Sequence, residues 1–94
     1  MSTEPAVGGP PIDAGLLTRT LGRRIRVLRA ERGWSQEVLS ALAGIHRTYL
    51  GSIERGRVQI SIVQLAKIAR ALEVRISVLI DGPVVDDQTR RSSH

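Results

Sequence analysis

Apolar residues recur along this chain at helical rather than alternating spacing. Leu21, Ile25 and Leu28 fall at i, i+4 and i+7, one stripe of a helix expected over Gly15–Arg32. Arg19, Arg23, Arg26 and Arg32 share its other faces, and Gly33 stops it. Ser35 is a good N-cap for a second helix over Gln36–Ala43, with Trp34 and Leu39 placed for a hydrophobic staple and Leu39, Leu42 and Ala43 as its apolar positions. Gly44 ends that helix. A third is expected over Arg47–Arg55, with Leu50 and Ile53 inward and Arg47, Thr48 and Ser52 outward. Ser61 and Gln64 form an S-x-x-Q capping box that opens a fourth helix, whose stripe is Leu65, Ile68, Ala69 and Leu72. A short fifth helix is expected over Ile76–Ile80, closed by Gly82-Pro83. The fold class expected is all-α, a compact five-helix domain over residues 15–82. Residues 1–14, with Pro5, Gly8, Gly9, Pro10 and Pro11, read as a disordered arm, and residues 83–94 as a flexible tail.

The spacing inside the second and third helices is specific. Counting from Gln36, an apolar residue stands at the fourth place, the small Ser40 at the fifth and Gly44 at the ninth, with Ile45, Leu50 and Ile53 at the tenth, fifteenth and eighteenth. A small side chain at Ser40 lets two helices approach closely. The words SQEVLSALAGI, HRTYLGSIERG and ISIVQLAKIARALEV resemble the lambda-repressor-like, Cro/XRE-type family of DNA-binding domains, from about Leu21 to Ile80. The resemblance implies a helix-turn-helix that presents the third helix to the DNA major groove. It also implies a pair between Arg29 and Glu54 on the recognition helix, favoured over two independent surface charges because Glu54 stands one place beyond the core position Ile53. Gln36 would hold the DNA backbone and brace the next helix. Two departures stand out. His46 occupies the N-cap of the third helix, where the family more often has serine or threonine, and Glu73 stands where the family usually has glycine.

Charge sharpens this picture. Residues 16–80 hold twelve Arg or Lys against four Glu, a net of +8, while residues 1–15 carry −2 and residues 81–94 carry −1. Nearly all the positive charge is arginine, whose planar fork suits phosphate and guanine edges. By position on the expected helices, Arg47, Thr48 and Ser52 are the candidate base readers, with Arg47 best suited to guanine. Ser35, Gln36, His46, Arg55 and Arg57 are the candidate contacts to the DNA backbone. For His46 the plain alternative is a weak cap alone, and a protonated ring could touch a phosphate. Gly51, inside the third helix, costs about 1 kcal/mol against alanine, which suggests either close approach of DNA or another helix, or a tolerated defect.

Other chemistry finds little support. There is no cysteine, hence no disulfide and no thiolate metal site. His46 has no partner ligand at metal spacing, and Asp81, Asp86 and Asp87 fit no Ca²⁺ loop. No nucleophile–base pair, catalytic carboxylate pair or Gly-rich phosphate loop occurs, so neither an enzyme nor a cofactor is expected. No apolar run is long enough to span a membrane and no signal peptide is visible, so the expected place is the cytoplasm. The function expected is a sequence-specific transcriptional regulator binding double-stranded DNA, as a homodimer on a palindromic operator, of the phage-repressor or restriction-modification-controller kind. The alternative is an antitoxin that binds a toxin protein and regulates its own gene. Val78, Ile80 and Val84 form a candidate dimer surface, or else complete the monomer's own core.

Overall fold

The computed structural model describes residues 8, 9 and 11–81. Five helices run through them: α1 Ala14–Glu31, α2 Gln36–Ala43, α3 Arg47–Glu54, α4 Ile62–Leu72 and α5 Ile76–Asp81. Each of the first four starts on a side-chain cap. Asp13 Oδ1 accepts the amide of Leu16, Ser35 Oγ that of Val38, His46 Nδ1 that of Thr48 and Ser61 Oγ that of Gln64. Asp13, assigned above to the arm, is therefore the cap of α1. The capping box at Ser61 is only half made, because Gln64 Oε1 is buried and accepts no hydrogen bond. The N-terminal arm through residue 7, Pro10, the Gly82-Pro83 stop, Val84, Asp86, Asp87 and the tail lie outside the described residues.

The same four helices end alike, on a left-handed residue that lets the chain turn out of the last turn: Gly33, Gly44, Gly56 and Glu73. Glu73 is the departure noted in the sequence. It holds φ 60° with its amide on Arg70 O, and Val74 donates to Ala69 O. A side chain in that backbone region is strained by about 1–2 kcal/mol relative to glycine.

The six largest fully buried side chains draw on all five helices: Ile25 of α1, Leu39 of α2, Leu50 of α3, Ile68 and Leu72 of α4, and Leu79 of α5. Each contributes roughly 1.5–3 kcal/mol by leaving water. α1 packs on α3 and α5, while α2 packs on α3 and α4. Ser40 is buried, as the close approach of α2 to its neighbours requires. Leu42 is not in the core: it is 48% exposed, and Val38 beside it is also exposed. The buried arc of α2 runs from Leu39 through Ala43 to Ser40; at about 100° per residue, Leu42 falls some 60° outside it.

One close approach fixes how α3 sits. Gly22, buried in the middle of α1, lies directly on the end of α3, and a β-carbon there would overlap the carbonyl oxygens of Ile53 and Glu54. A little further on, a β-carbon at Gly56 would stand 2.7 Å from Cγ of Arg19 and 2.8 Å from its Cα. Backbone lies against backbone at both ends of this crossing, so the C-terminal turn of α3 packs directly on α1.

Candidate nucleic-acid interface

On this mount α3 is locked by a polar cluster around Glu54, whose side chain is 2% exposed. Arg29 of α1 grips it with both arms of its fork, Nε to Oε2 at 2.7 Å and Nη2 to Oε1 at 2.9 Å. Its remaining nitrogen, Nη1, donates to Trp34 O at 2.8 Å, tying in the turn between α1 and α2. Gln36, the first residue of α2, donates from Nε2 to Glu54 Oε1 at 3.0 Å. The hydrogen bonds and charge of Glu54 raise the Arg29 pKa above its already high ordinary value against the opposing effect of burial, so the guanidinium stays charged. Both carboxylate oxygens are satisfied, which is the condition for a buried charge to be tolerated.

The outer side of α3 carries the candidate base readers. Arg47 and Thr48 are exposed, and Ser52, one turn beyond Thr48, is half-buried. Arg47 Nε lies 3.8 Å from Glu37 Oε2, a loose pair with both side chains mostly in solvent. Glu37 was not singled out in the sequence, because its neighbour across the turn is set only once α2 and α3 are packed. At the entrance to α3, His46 Nδ1 accepts the Thr48 amide at 3.1 Å, which leaves Nε2 outside the cap. The cap expected of His46 is thus made. Ser35 keeps its hydroxyl proton free to donate while its oxygen caps α2. Arg55, the C-cap of α3, and Arg57 in the loop after it are both exposed.

Much of the arginine charge serves the fold instead. Arg24 Nη1 binds the carbonyls of Leu79, at 3.0 Å, and Ile80 at the end of α5. Arg32 donates to Leu72 O at 2.7 Å at the end of α4 and lies over the ring of Trp34. Cations at helix C-termini satisfy orphan carbonyls and complement the dipole. Neither role is readable from spacing along the chain, since each partner lies about forty residues or more away. What remains for a partner near α3 is Arg47, Arg55 and Arg57.

Of the candidate dimer residues, Val78 is half-buried and Ile80 is 47% exposed; the fully buried member of α5 is Leu79. Ile80 borders an open groove of about 330 Å³ with Ile12, Leu16, Leu17 and Arg24, so the exposed apolar surface extends onto the start of α1. Among the described residues there is no cluster able to hold a metal ion, and no helix long and apolar enough to cross a membrane.

Known proteins share this fold. A hypothetical transcription factor of Neisseria meningitidis serogroup B is 37% identical over 67 residues, which is 71% of this chain and 63% of that protein. The chain thus spans less than two thirds of that relative's length. The restriction-modification controller C.AhdI of Aeromonas hydrophila superposes with a TM-score of 0.65 at 40% identity, over 66% of this chain and 94% of that one. SinR of Bacillus subtilis, a master regulator of biofilm formation whose structure was determined in complex with DNA, superposes with a TM-score of 0.62 at 39% identity, over 65% of this chain and 98% of that one. The helix-turn-helix family's sequence pattern matches residues 25–79, from the middle of α1 through Leu79. This chain belongs to the Cro/C1-type helix-turn-helix family.

Proposed function

We propose that this protein is a sequence-specific, non-enzymatic transcriptional regulator of the cytoplasm that reads double-stranded DNA by laying α3 in the major groove. The observation that carries the reading is the rigid mount of α3. Buried Glu54 holds its C-terminal turn to Arg29 and Gln36, while Arg47, Thr48 and Ser52 face outward with Arg55 and Arg57 beside them. A helix that must discriminate bases cannot rock, because each base-edge hydrogen bond tolerates only a few tenths of an ångström. In this reading Arg47, Thr48 and Ser52 meet base edges, and Ser35, Gln36, His46, Arg55 and Arg57 hold the sugar-phosphate backbone. Relatives described as transcription regulators, one of them crystallised on DNA, support it. Selection of bound duplexes from a random pool tests it: the expected result is a short enriched motif, and recovery of unenriched sequence contradicts the proposal.

The regulator acts as a homodimer on a two-fold operator. One α3 reads only a few base pairs, too little to find a site among a genome's competitors. The groove bordered by Ile80, Ile12, Leu16 and Leu17 offers the apolar surface for a second copy. Sedimentation equilibrium should give a dimer for the wild type and a folded monomer for Leu16→Asp, Ile80→Asp. A wild type that stays monomeric on a full palindrome contradicts it.

A further inference from the structure

Gly51 is a poor choice for the middle of an eight-residue helix, where alanine is better by about 1 kcal/mol. It is also buried, and the three atoms nearest to where its β-carbon would stand are polar side-chain atoms. Two polar side chains cover it instead. A β-carbon at Gly51 would stand 3.3 Å from Nη1 and 3.7 Å from Nη2 of Arg55, and 3.6 Å from Oε1 of Gln36. The Arg55 guanidinium has therefore folded back by one turn to lie on the bare α-carbon of Gly51, alongside the amide that braces Glu54. It makes no hydrogen bond or ion pair among the described residues, while Glu54 is held by Arg29 and Gln36. A cation held in place without an anion is ready for one from outside.

We propose that Gly51 is a positioning residue for DNA binding: the absence of its side chain creates the seat on which Arg55 is held, aimed at a backbone phosphate beside the α2–α3 edge. The inference rests on the reading of α3 as the helix that meets DNA. Any β-carbon at position 51 lifts the guanidinium by a few tenths of an ångström at least, and the flexible side chain gives way before the helix does. Arg55 then loses its seat and samples solvent, so the phosphate contact must order it at binding, at a cost in side-chain freedom.

The test is fluorescence anisotropy of a labelled duplex selected with the wild type, over a range of salt, for Gly51→Ala, Arg55→Ala and the double variant, with thermal melts of each. Gly51→Ala should melt at or above the wild-type temperature and bind about three- to tenfold more weakly at moderate salt, with the wild-type salt slope because the contact still forms, whereas Arg55→Ala should show a slope smaller by about one per protomer. In the Arg55→Ala background it should cost nothing further. Wild-type binding by Gly51→Ala, a salt slope reduced as far as that of Arg55→Ala, a full additive loss on top of Arg55→Ala, or unfolding of Gly51→Ala would each overturn the proposal, the last by making the glycine a packing requirement of α3. A null effect of Arg55→Ala alone removes the phosphate contact and the inference with it, while leaving the DNA reading on Arg47. Failure of the wild type to bind any duplex refutes that reading itself.

Discussion

Arg29 and Glu54 meet fork to fork across the α1–α3 contact, at 2.7 Å and 2.9 Å, with the acid almost wholly removed from water. Removing one partner strands a buried charge or leaves a buried acceptor unsatisfied, at a cost of about 3–5 kcal/mol. Removing both costs less than the two single losses together. A double-mutant cycle of Arg29→Met and Glu54→Gln, read by chemical denaturation, should give a coupling energy of about 2 kcal/mol or more. Zero coupling would mean that the two charges act independently.

Gly22 carries the other half of the α1–α3 contact. Gly22→Ala should destabilise the domain by about 2–3 kcal/mol, although alanine is the better helix former, because its β-carbon meets backbone oxygens that cannot swing away. The opposite sign is expected at Glu73, whose backbone is already left-handed. Glu73→Gly should raise stability by about 0.5–1 kcal/mol, the relieved strain being partly offset by the greater freedom of unfolded glycine. Melting followed by circular dichroism measures both; a stabilised Gly22→Ala or a destabilised Glu73→Gly would contradict this account of the backbone.

Arg47 and Arg57 should fail in different ways. Arg47→Ala should lose about 1–3 kcal/mol at one base pair and relax preference there, whereas Arg57→Ala should weaken all duplexes alike and flatten the salt dependence. The loose pair of Arg47 with Glu37 is too exposed to alter the fold, so Glu37→Gln should leave the melting temperature nearly unchanged. Competition between cognate and random duplexes separates the cases. An equal loss on both for Arg47→Ala would take Arg47 away from the bases.

Local signals and long-range packing account for what the sequence made legible. The extent of α2 and the starts of α3 and α4 were readable because Ser35, His46, Ser61 and Gly44 act within a turn of themselves. The Arg29–Glu54 pair followed from the resemblance, supported by the place of Glu54 just beyond the core position Ile53. Leu42 was misplaced because eight residues make barely two turns, over which an i+3 step looks as inward as an i+4 step. Gly22 gave the same interior-glycine signal as Gly51, but what crosses it is decided by a helix thirty residues away. Gly51 proved to face Gln36 of another helix and Arg55 of its own. Arg32, placed on an outer face of the first helix, and Arg24, not singled out in the sequence, meet terminal carbonyls of α4 and α5 only once the helices are packed.

The claim on which the rest depends is that the Arg47–Arg57 face binds duplex DNA through its phosphates. Anisotropy of the wild type on its selected duplex, titrated with salt, measures this most directly. If about six phosphates are contacted per dimer, log K falls linearly with log salt with a slope near −5. A flat response across the range, or no binding to any duplex at low salt, would contradict it.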